Sequence, residues 1–83
     1  MHLELLTPDT KAFDGEVESV KVPGSRGTFE ILHNHAAVVS TLVKGEVRIL
    51  SKAKGDQVFT IDAGTVEVLD NKIVVLAESI INE

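Results

Sequence analysis

The sequence predicts an all-β fold: a single antiparallel β-sandwich of short strands closed over one core. Three observations lead there. Apolar residues recur with a period of two rather than 3.6. The recurring segments are rich in Val, Ile and Thr, residues suited to a pleated, half-buried surface. Turn-forming Gly, Pro, Asp and Asn fall between them at short intervals, the spacing expected of a sandwich or barrel.

In chain order, Val20 and Val22 alternate with Lys21, although Glu18 shares their parity and makes the pattern imperfect. Thr28 to Leu32 is strand-like. Gly45 to Ile49 alternates cleanly, with Val47 and Ile49 inward, and Gln57 to Ala63 gathers Phe59, Ile61 and Ala63 on one face. Thr65 to Leu69 sets Val66 and Val68 against Thr65 and Glu67. Ile73 to Leu76 is apolar throughout, which a strand covered on both faces or a buried helix segment would explain, the short length favouring the strand. Turns are expected at Asp14-Gly15, Pro23 to Gly27, Lys44-Gly45, Lys54 to Asp56, Gly64 and Asp70-Asn71. The last pair separates two strand-like runs by two residues that tolerate positive φ, so it predicts a tight primed hairpin. His33 to Ser40 is the least strand-like interior stretch and reads as a loop. There is no amphipathic helix pattern, internal repeat or linker.

The chain has 83 residues, enough for one domain over 1–83. It carries 8 Lys and Arg against 13 Asp and Glu, a formal charge of −5. That balance and the scattered cations argue against nucleic-acid binding. Cysteine is absent, which excludes disulfides, thiol nucleophiles and Cys-ligated metals. No apolar run approaches the ~20 residues that span a bilayer, so no direct membrane insertion is expected.

Specific chemistry finds little support. On a strand, His33 and His35 would share one face like metal ligands, and Gly27 stands before them as in a cupin motif. The carboxylate that motif needs is replaced by Val39 or Ser40, and no His follows His35, so no metal is expected. No Ser sits in a G-x-S-x-G setting, and no P-loop is present. Neither catalytic residues nor a cofactor is expected. A rival class is the lipoyl or biotinyl carrier, in which a hairpin-tip Lys is modified. Lys72, beside Asp70-Asn71, is its candidate, but its neighbours Asn71 and Ile73 do not match the Met-Lys-Met or Asp-Lys-Ala settings of those carriers.

Residues 21–50 are more distinctive. Lys21-Val22-Pro23-Gly24-Ser25-Arg26-Gly27-Thr28-Phe29-Glu30-Ile31-Leu32-His33-Asn34-His35-Ala36-Ala37 leads to Leu42, then to Lys44-Gly45-Glu46-Val47-Arg48-Ile49. This series resembles the epsilon subunit of F-type ATP synthases. That family has a Pro/Thr-Gly-x-x-Gly turn, a Gly-Ile-Leu/Tyr-Pro-Gly-His-Ala-Pro segment, then Lys-Pro-Gly and a Val-Arg-Ile strand. His2 to Pro8, Phe13 to Val17, Ala63 to Val68 and Asn71 to Glu78 match its other segments, in order.

The resemblance implies a β-sandwich and a non-catalytic rotor part. It also implies partners, the gamma subunit along one side and the polar loops of the membrane c-ring below, coupling proton or sodium flow to ATP synthesis. The implied location is peripheral, on the cytoplasmic face of a bacterial plasma membrane, within the complex and not as an obligate homo-oligomer. Expected contact residues are Thr7, Gly24, Ser25, Arg26, Gly27, Thr28, Glu30 and His35. Of the family's motif residues His35 is retained, its role being partner contact or a local loop-capping hydrogen bond. The motif Gly becomes Asn34, among the least costly replacements if φ must be positive. The motif prolines become His33 and Ala37. Where relatives carry acids, this chain has Arg26 and Thr28. Glu30 shares strand parity with Thr28 and is expected to supply the displaced acid, with a solvated surface role as its alternative. The family's C-terminal helical pair, with its inhibitory extension and, in some members, an ATP site, has no counterpart within these residues.

Overall fold

The computed structural model describes residues 1–81, so the last two residues of the expected 1–83 domain lie outside the described residues. Among the described residues ten strands follow one another: β1 (His2–Leu6), β2 (Lys11–Glu16), β3 (Ser19–Gly24), β4 (Gly27–Ile31), β5 (Val38–Leu42), β6 (Gly45–Leu50), β7 (Gln57–Ile61), β8 (Gly64–Leu69), β9 (Lys72–Ala77) and β10 (Ile80–Ile81). No helix occurs among the described residues, so none there is long and apolar enough to cross a membrane.

The pairings give two five-stranded halves, β2–β1–β9–β8–β5 and β4–β3–β6–β7–β10, bridged at Gly24–Leu42. They are one sheet folded over. The β5–β8 ladder runs from Val38–Val68 to Leu42–Gly64 and resumes as Gly45–Ile61 in β6–β7 with no change of register. The β8–β9 ladder likewise passes into β7–β10. The chain therefore bends together at 43–44, 62–63 and 78–79, a fold line across three long strands. Such corners suit glycine, which lets backbones approach closely. At Gly64 a Cβ would stand 2.3 Å from the Leu76 carbonyl oxygen.

The fold brings the two inner faces together. Leu3, Leu5, Val66, Val68, Ile73 and Val75 of the first half meet Val20, Val22, Ile31, Val47, Ile49 and Ile61 of the second, all buried. Fully burying an aliphatic side chain of this size is worth about 1.5–3 kcal/mol, so this layer is the main stabilising term. The alternation read for β6, β7 and β8 holds: Val47, Ile49, Ile61, Val66 and Val68 all point inward.

Several expectations need correction. Asp14-Gly15 is not a turn but lies within β2, paired with Glu4 and Leu3. The 33–40 loop ends early, because Val38-Val39-Ser40 begins β5, and the β-branched pair carried that signal. Residues 73–76 are not covered on both faces. Ile73 and Val75 are buried, but Leu76 is 51% exposed on the outer face. Among the described pairings one is not antiparallel, since β1 runs parallel to β9. The Asp70-Asn71 hairpin forms as expected, with φ of 50° and 61°.

Candidate partner-binding surface

The loops at 7–10, 25–26, 43–44, 62–63 and 78–79 all sit at the fold-line end. Thr7 and the 24–28 segment are thereby brought to one end of the sandwich. Thr7 closes the β1–β2 turn: its backbone N–H donates to the Thr10 carbonyl at 2.8 Å, and its Oγ1 accepts from the Thr10 N–H at 3.1 Å. Beside it, Leu6, Pro8, Thr41, Thr65 and Leu76 line an open, mostly apolar groove.

Gly24 pairs with Gly27, leaving Ser25-Arg26 as a two-residue turn. Gly27 has φ 127°, which a side chain rarely adopts. The turn is tied to β5 twice. The Ser25 N–H donates to the Thr41 carbonyl at 3.0 Å, and the two hydroxyls, Ser25 Oγ and Thr41 Oγ1, lie 2.8 Å apart. Arg26 is exposed at the tip and makes no ion pair among the described residues. Thr28 and Glu30 both face outward from β4, as their shared parity requires, and Glu30 lies opposite Lys21.

Asp62 fastens the same end. Its Oδ1 accepts from the Ala63 N–H at 2.8 Å and the Ser79 N–H at 2.9 Å, joining two corner loops. Hydrogen bonding from Ser79, side chain first, together with these backbone donors holds its carboxyl below the ordinary carboxylate value. Nothing in the local sequence announces this role, since a lone Asp before Ala-Gly reads only as turn chemistry.

His35 lies elsewhere, in the 32–37 loop at the opposite end, beside the Asp70-Asn71 turn. Its Nδ1 meets the Ala36 carbonyl at 2.7 Å, and its ring stands 6.4 Å from that of Phe29. Asn34 adopts φ 64°, so the position does need the left-handed conformation. Residues 33–35 form a turn rather than a strand, which removes the shared-face premise for His33 and His35. No group of three or more potential metal-ligating His, Asp or Glu gathers among the described residues. Lys72 is the first residue of β9 rather than a hairpin tip, and its ammonium sits 3.6 Å from Glu4.

Comparison with known proteins sets this geometry in context. The profile described as "ATP synthase, Delta/Epsilon chain, beta-sandwich domain" matches residues 1–83. The ATP synthase epsilon chain of Campylobacter curvus is 38% identical over 78 residues, covering 94% of this chain and 60% of the relative. That of Campylobacter jejuni is 41% identical over 78 residues, with the same coverage. That of Chlorobium limicola is 38% identical over 78 residues, covering 94% of this chain and 89% of the relative. The chain thus spans about 60% of the length of the Campylobacter proteins it matches.

Among solved structures, a chain of the Euglena gracilis mitochondrial ATP synthase (OSCP/F1/c-ring) superposes with TM-score 0.85 at 18% identity, covering 95% of this chain and 51% of that one. A chain of the Tetrahymena thermophila mitochondrial ATP synthase (central stalk/c-ring) gives 0.81 at 22%, covering 98% and 65%. At those identities the likeness concerns the fold. With the profile covering every residue, the chain belongs to the ATP synthase delta/epsilon-chain β-sandwich family.

Proposed function

We propose that this chain is the sandwich part of an epsilon-type central-stalk subunit of a proton- or sodium-translocating F-type ATP synthase. It performs no chemistry of its own. It fastens gamma to the c-ring and so helps transmit ring rotation. Family membership over residues 1–83 carries this reading, together with relatives named ATP synthase epsilon chain at 38–41% identity. The mechanical logic agrees with it: a doubled sheet over a close-packed aliphatic core has low compressibility and passes strain without yielding.

In this reading the fold-line end rests on the ring's polar loops through Thr7 and the 24–28 turn, with Arg26 at the tip. Glu30, facing outward on β4, supplies the acid, and His35 lies toward gamma. The complex sits on the cytoplasmic face of a bacterial plasma membrane, and this chain joins it peripherally. The test is co-purification with gamma and the c-ring under conditions that keep a synthase intact, followed by cross-linking from single cysteines at Arg26 and His35. Capture should link Arg26→Cys to the ring and His35→Cys to gamma. Elution of the chain alone would refute the assignment, and capture with the two links exchanged would refute the orientation.

A further inference from the structure

On the outer face of β9–β1–β2, far from the 24–28 turn, charged groups form a continuous series of alternating sign. Lys72 and Lys11 each approach Glu4 at 3.6 Å, Lys11 continues to Asp14 at 3.2 Å, and Asp14 meets His2 Nε2 at 2.6 Å. His2 Nδ1 then meets Glu16 at 2.9 Å, whose other oxygen is 3.7 Å from the Met1 amine. His2 stands at the centre of the acidic end, between Asp14 and Glu16.

The imidazole is held on both sides by groups that, when ionised, only accept hydrogen bonds. A neutral ring has one N–H and one lone pair, so one of its nitrogens would face a carboxylate lone pair. Only the imidazolium donates to both. We propose that His2 is a proton-operated clasp between β1 and β2, closed when the ring is charged and released when it is neutral.

The register explains the placement. His2 is directly opposite Glu16, and Asp14 lies on the diagonal, opposite Glu4. Both carboxylates therefore stand on the same face as the ring, within reach of one side chain. Lys72 of β9, opposite His2 in the parallel pair, is the like charge beside it and is occupied by Glu4. Lys54, from the β6–β7 loop, reaches this strand at the Asp14 carbonyl rather than its carboxylate and so does not compete. The hydrogen bonds to Glu16 and Asp14 raise the His2 pKa above its ordinary 6.5. A raised value contributes stability that is complete below the unfolded pKa and disappears as pH climbs through the folded one.

The clasp closes the far end of the sandwich. Next to it, Val17 donates its N–H to the Met1 carbonyl at 2.9 Å as the chain leaves β2 for the second half. Charge on His2 thus governs how firmly the first strand is held where the two halves meet again.

The test is an NMR titration of the His2 ring in the full chain and in Asp14→Asn/Glu16→Gln. The wild-type midpoint should lie above 6.5 and fall toward it in the double variant. In parallel, Tm of wild type and His2→Gln is followed against pH. The wild-type advantage should be present in mild acid and vanish above the His2 midpoint. A wild-type midpoint at or below 6.5, a midpoint that the double variant leaves unmoved, or a pH-independent Tm difference would each overturn the clasp.

Discussion

Asn34 and Asn71 hold each other across 37 residues of sequence: the Asn34 N–H donates to Asn71 Oδ1 at 2.6 Å, and Asn71 Nδ2 donates to Asn34 Oδ1 at 2.9 Å. Both have positive φ, of 64° and 61°. The left-handed backbone turns each side chain back toward the other, so two turns that are separate in sequence become one unit that also supports His35.

That pairing sets an order among variants at position 34. Asn34→Ala loses the side-chain bond, about 0.5–1.5 kcal/mol, and strains the backbone, up to about 1–2 kcal/mol more. Asn34→Gly relieves the strain and keeps the N–H to Asn71, so it should lie between Ala and wild type. Urea denaturation midpoints measure this, and an Ala variant as stable as the Gly variant would contradict it.

The strands were legible because each inner face is built from alternating apolar residues. The turn at Asp70-Asn71 was legible because both residues favour the conformation it needs. The sheet's fold line was not. The 43–44 and 62–63 corners look like ordinary turns in sequence, and only the unbroken register reveals that their flanking strands continue each other. Asp14-Gly15 misled because dipeptide chemistry suggests a turn wherever it occurs, whereas pairing with β1 decides the matter. At the candidate surface, the outward parity of Thr28 and Glu30 was readable. The salt-bridged face was not, because Glu4, Lys11, Asp14 and Lys72 converge only once β1 lies between β2 and β9.

The apolar run in β9 separates two kinds of position. Ile73 is fully buried, so Ile73→Ala should cost about 2–5 kcal/mol, through lost transfer energy and the cavity left behind. Leu76 is half exposed on the outer face, so Leu76→Ser should change stability by only about 0.5 kcal/mol. Equal losses in thermal or chemical unfolding would mean that the outer face is covered in the isolated chain.

Asp62 makes the domain acid-sensitive at its corner. Its carboxyl is held below the ordinary value of 3.8, chiefly by hydrogen bonding from Ser79. A depressed pKa contributes stability that is present above the unfolded value and lost as pH falls through the folded one. Asp62→Asn retains an acceptor oxygen but not the charge. Wild type should therefore melt above the variant at neutral pH, and the gap should close at pH below 3.8. A gap that stays constant into acid would assign the effect to shape rather than charge.

Gly64 and Gly15 test whether the corner depends on close backbone approach. At Gly15 the nearest obstacle to an added methyl is Lys54 Cε at 2.8 Å, the far end of a flexible chain. Lys54 can swing aside, giving up its contact with the Phe13 ring at 5.5 Å, worth about 0.5–1 kcal/mol at an exposed site. At Gly64 the obstacles are backbone: the Leu76 carbonyl oxygen at 2.3 Å and Ala77 Cα at 3.1 Å. Neither can move without parting the β8–β9 ladder, in which Gly64 is paired with Ala77 at the fold line. Gly64→Ala should therefore cost at least about 1–3 kcal/mol, the range for overpacking a tight interior. Gly15→Ala should cost clearly less. Because strain at Gly64 falls where β8 bends into β7, amide exchange in its variant should rise first around 61–64 and 77–80. Protection lost uniformly across the sandwich would show that the corner is no weaker than the rest of the sheet.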